Sequence, residues 1–103
     1  TFQKHARTTC GGCQAHVLDR RSFRPVLTGV VIIDELRAAG PESFAWRQPP
    51  YEYEHDKMPI DILAGSDDLR RQIEAETPLA EIADSWRADE QAFEKMRAGY
   101  LLY

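Results

Sequence analysis

Apolar and polar residues alternate from Cys13 to Leu18. Cys13, Ala15 and Val17 fall on one face and Gln14, His16 and Leu18 on the other. That period predicts a strand over 13–18, with a turn at Asp19-Arg20-Arg21-Ser22. From about Pro25 to Ala39 the period lengthens to that of a helix. Val26, Val30, Ile33 and Leu36 form its inner stripe, widened by Leu27 and Ile32. Pro25 suits a first helical turn, where its missing N–H is no loss, and Gly40-Pro41 stops the helix. Gly29 in mid-helix costs roughly 1 kcal/mol against Ala, which points to another backbone coming close there.

Beyond Gly40 the pattern weakens. Residues 41–58 are irregular, and at most one short strand near 51–53 fits. Pro59 to Leu63 reads as a helical turn. Ser66 can cap a helix through about Glu76, with Asp67 and Asp68 near its positive end and Leu69 and Ile73 as its buried pair. Thr77-Pro78 opens a last helix to about Arg97, with Leu79, Ile82, Trp86, Phe93 and Met96 near one stripe. The terminal YLLY, after Gly99, suggests a short strand. The fold class expected is α/β, in the form of a small α+β-like domain with few short strands packed on three main helices. Two or three short strands make a poor sheet alone, so the domain reads as part of something larger. A start at Thr1 rather than Met points the same way.

Composition narrows the functions open to it. The 103 residues are one small domain's worth, 43% apolar and 29% charged, as in an ordinary globular protein. Thirteen basic against 17 acidic residues leave a net charge of −4, which argues against nucleic acid as a main partner because no basic surplus faces phosphate. No apolar run nears the roughly 20 residues needed to cross a bilayer, so no membrane partner is expected.

Three groups of residues carry candidate chemistry. Cys10 and Cys13 form a CxxC pair, readable as a redox dithiol, as half a zinc site with His16 and His5, or as a loop thiol beside a small core residue. Strand parity puts Cys13 and His16 on opposite faces, which speaks against a shared ion, and the residues after the pair are strand-like rather than a helix start. Gln14 and His16 share the other face, about 7 Å apart along a strand. They are either a ligand-facing pair or a satisfied histidine beside a solvent-facing amide. Glu52, Glu54, Asp56 and Asp61 crowd one loop with Tyr51 and Tyr53. They could supply a glycosidase's carboxyl pair and a sugar-stacking ring, or simply be a solvated run.

Taken in order, TFQKH (1–5), CGG (10–12), QAHVLDRRSFRPVLTG (14–29), FAWRQPPYEYE (44–54), PIDILAGSDDLR (59–70) and the final YLLY resemble the C-terminal part of the NamZ-type exo-β-N-acetylmuramidases. The resemblance implies a single C-terminal domain over 1–103, without the larger Rossmann-like N-terminal domain. The family removes N-acetylmuramic acid from the non-reducing ends of peptidoglycan fragments, in a cleft between its two domains. The catalytic Glu belongs to an N-terminal motif absent here. This chain would thus form one wall of the cleft and hydrolyse nothing alone. Its partners would be a muropeptide or disaccharide and the missing domain, with no cofactor and no metal. Carried over by position, Gln14 and His16 line the sugar pocket, with Lys4, His5 and Tyr51 also binding substrate and Lys4 meeting the lactyl carboxylate. Asp19 and Asp61 would cap the helical segments that follow or contain them. Cys13, Ala15 and Leu18 depart from the family's usual Val, larger aliphatic and Thr, so the CxxC pair is peculiar to this sequence. Peptidoglycan as substrate implies a periplasmic or extracellular setting. Two rivals stay open: a thiol–disulfide module on Cys10 and Cys13, and a non-catalytic binding domain.

Overall fold

A computed structural model describes residues 5–102. Lys4 therefore lies outside the described residues. Those residues form five α-helices: α1 (Pro25–Ala39), α2 (Pro59–Ala64), α3 (Asp68–Glu74), α4 (Leu79–Ser85) and α5 (Arg87–Arg97). A 3-10 turn, Ala98–Tyr100, follows. The small domain of the α/β expectation and its helices are present, but among the described residues its short strands are not.

Among the described residues the strand expected over 13–18 is absent: 13–17 form no regular element and Leu18 stands at a bend, with no neighbouring edge to pair with. Near 51–53 there is a tight turn closed by one bridge, Tyr51 N–H to Glu54 O at 2.9 Å and Glu54 N–H to Tyr51 O at 3.0 Å. At the C-terminal end the 3-10 turn replaces the expected strand over its first residue, and Leu101 and Leu102 come after it without regular structure.

The helices start where the chain chemistry directs. α1 begins with Pro25 and ends at Gly40, as its proline and glycine dictate. Pro59 opens α2, and Gly65 closes it in the left-handed region at φ 89°, donating to Asp61 O at 2.9 Å. Only a glycine adopts that conformation without strain. Ser66 stands one position ahead of the expected cap role: Asp67 is the N-cap of α3, and the Ser66 hydroxyl accepts from the Asp68 N–H at 3.3 Å. The last helix is two helices. The Ser85 hydroxyl donates back to Ile82 O at 2.7 Å, and a turn at Trp86 separates α4 from α5.

Val30, Ile73 and Ile82 are buried to 2% exposure or less, so α1, α3 and α4 meet at one point. Ile33, Trp46, Leu69, Leu79 and Trp86 surround it. The ends of the expected stripes stay in water: Val26, Leu36, Phe93 and Met96 are all exposed. α1 is apolar on several sides, and only its middle is covered. Gly29 is not a close-approach site, since a Cβ there would meet nothing within 4 Å.

The molecule is open. Its radius of gyration is 17.0 Å, against about 13 Å for a compact chain of 100 residues. Its accessible surface is 9401 Å², against roughly 5,900 Å² for a self-contained monomer of this mass.

Candidate functional site

Residues 5–24 approach α1 as an arm. His5 sits in a turn at φ 59°, with its carbonyl accepting from the Thr8 N–H at 3.1 Å. Cys10, Cys13, Gln14 and His16 are all exposed. Both cysteines are free thiols. No described helix begins near them, the first starting at Pro25, so nothing supplies the positive helix end that a reactive dithiol uses. Among the described residues no cluster of His, Cys, Asp or Glu is arranged to hold a metal ion.

The arm is anchored at Asp19. Its carboxylate accepts from the Arg21 N–H at 2.9 Å and the Ser22 hydroxyl at 2.8 Å, and its carbonyl accepts from the Phe23 N–H at 3.2 Å. These bonds to the ionised form hold Asp19 below the ordinary carboxylate value, the Arg21 amide contributing most. Asp19 thus builds the turn ahead of α1 rather than capping the helix; the N-cap position is Arg24, which has no side-chain cap.

Asp61 also departs from the expected cap. It accepts two bonds from the Arg70 guanidinium, Nε and Nη2, each at 2.9 Å. Glu74, at 3.4 Å, and Asp67, at 4.0 Å, complete a carboxylate ring round that arginine. The Asp61 bond, first among these, pushes Arg70 further above its ordinary value. This fork ties α2 to α3 and leaves Asp61 committed.

In the acidic loop, Glu54 accepts from the Asp56 N–H at 2.9 Å and the Lys57 N–H at 3.3 Å. Both lower its pKa, Asp56 more strongly. A glycosidase's acid needs the opposite shift, so Glu54 is a loop organiser. Tyr51 is half-buried, and the Arg47 guanidinium lies 5.6 Å from the centre of its ring.

Of the five residues expected to bind substrate, the structure places His5, Gln14 and His16 on the arm and Tyr51 on the bridged turn. None of the four lines either of two open grooves. The larger, about 1080 Å³, runs from Phe23 past Leu69 to Trp86 and Glu90. The smaller, about 530 Å³, lies by Arg37 and Glu76. Sequence reasoning missed the larger groove, because it depends on the break at Trp86.

The family model for the C-terminal part of the exo-β-N-acetylmuramidase NamZ matches residues 1–103. The chain belongs to the NamZ C-terminal family. It is 35% identical over 103 residues to the peptidoglycan β-N-acetylmuramidase NamZ of Bacillus subtilis (strain 168), a match that takes in the whole of this chain. It spans 23% of that NamZ relative's length. No solved structure matches the chain significantly. As a NamZ C-terminal domain, it matches one part of a longer relative.

Proposed function

We propose that this chain forms one wall of the substrate cleft of a peptidoglycan glycosidase that releases N-acetylmuramic acid from non-reducing ends. Membership of the NamZ C-terminal family carries this reading. The arm supports it: Gln14 and His16 are exposed polar side chains that the described part of the domain leaves without hydrogen-bond partners. The imidazole and the amide offer donors and acceptors to sugar hydroxyls and the acetamido group. Lys4 meets the lactyl carboxylate, and His5 and Tyr51 complete the wall. The missing part of the longer polypeptide supplies the carboxyl groups that cleave the bond.

The test is kinetic. In the longer polypeptide, His16→Ala lowers kcat/KM for release of N-acetylmuramic acid by about a hundredfold or more, with the melting temperature unchanged. The 103-residue chain alone releases none. Wild-type turnover in the variant would remove His16 from the cleft.

A further inference from the structure

We infer that residues 13–18 pair as a β-strand with a sheet edge supplied by the part of the longer polypeptide that precedes this chain. Four observations converge on this segment. Its residues alternate as a strand does, Cys13, Ala15 and Val17 against Gln14, His16 and Leu18. The backbone from 9 to 17 forms no helix and no turn, and Leu18 stands at a bend. No backbone–backbone hydrogen bond joins residues 9–18 to another described residue. Val17 and Leu18 are 46% and 96% exposed, which leaves apolar side chains of both faces uncovered.

A row of bare N–H and C=O groups in a strand-forming sequence is a template for pairing. The occupant is set by where the rest of the polypeptide lies. The match is to the C-terminal part of the family, and the chain spans 23% of its relative. In that family the larger part of the polypeptide lies ahead of the C-terminal domain, on the side of the arm. α1, α3 and α4 pack on one another instead, and the Asp19 turn separates the arm from them.

Pairing would set the orientation of the segment's side chains. It would hold Gln14 and His16 on one face, roughly 7 Å apart, with Cys13, Ala15 and Val17 turned to the other. The inference shares the longer polypeptide with the proposed function but needs nothing of the sugar-binding role of His16.

Hydrogen exchange on the longer polypeptide, read by NMR, tests it. Amides within 13–18 that face the partner edge should exchange at least about a hundredfold slower than in an unstructured chain, with carbon shifts typical of a strand. In a singly paired strand alternate N–H groups face the neighbour, and Ala15 and Leu18 have opposite parity. One of Ala15→Pro and Leu18→Pro should therefore abolish the protection while the helices keep theirs. Free exchange in the monomeric polypeptide overturns the inference. So do helical shifts at 13–18, protection that appears only as concentration drives two copies together, and protection untouched by either proline. Neither reading's failure imitates the other: His16→Ala tests turnover, and exchange tests pairing.

Discussion

Asp19, Asp61 and Glu54 are three carboxylates that the sequence offers equally and the structure uses for three local jobs. Asp19 ties a turn, Glu54 ties a loop, and Asp61 forks onto Arg70. Because the folded pKa of Asp19 is depressed below 3.8, its turn holds fully above that value and loosens as pH falls through the depressed one. The Arg21 amide shift should stay flat from pH 5 to 8 and move only below about 4. Movement at neutral pH would contradict the Asp19 bond. Arg70→Ala strands the Asp61 carboxylate and should lower the melting temperature, with the largest shifts in α2 and α3. An equal loss in Arg71→Ala, whose side chain is exposed, would show that the Asp61 fork is not special.

Elements were legible where local chemistry decides them. The bounds of α1 come from Pro25 and Gly40, and Ile73 and Ile82 from helical spacing. What escaped needs knowledge of neighbours. A period of two states that 13–18 can be a strand, but pairing takes a second edge in space. The stripe through Phe93 and Met96 is amphipathic, yet every residue of α5 is exposed because nothing described lies over it. The break at Trp86 lies beside the Ser85 hydroxyl bond and leaves no mark in the apolar spacing. Urea unfolding checks this division. Ile82→Ala should cost roughly 2–5 kcal/mol. Phe93→Ala in the same chain should stay within about 0.5 kcal/mol. A large loss at Phe93 would mean that α5 is covered within this domain.

At the scale of the whole molecule, a core of three buried apolar side chains among the described residues and a radius of gyration of 17.0 Å describe an open domain with much apolar surface in water. The candidate site shares that character. Gln14 and His16 were legible as a polar pair and His5 only through the family resemblance, but the arm has no opposing wall among the described residues, so no pocket forms round them. The most direct measurement is the structure of the longer polypeptide with an N-acetylmuramic acid-bearing ligand bound. The imidazole of His16 and the amide of Gln14 should lie within hydrogen-bond distance of the sugar. A sugar seated away from both, and from Lys4, His5 and Tyr51, would contradict the proposed cleft-wall role.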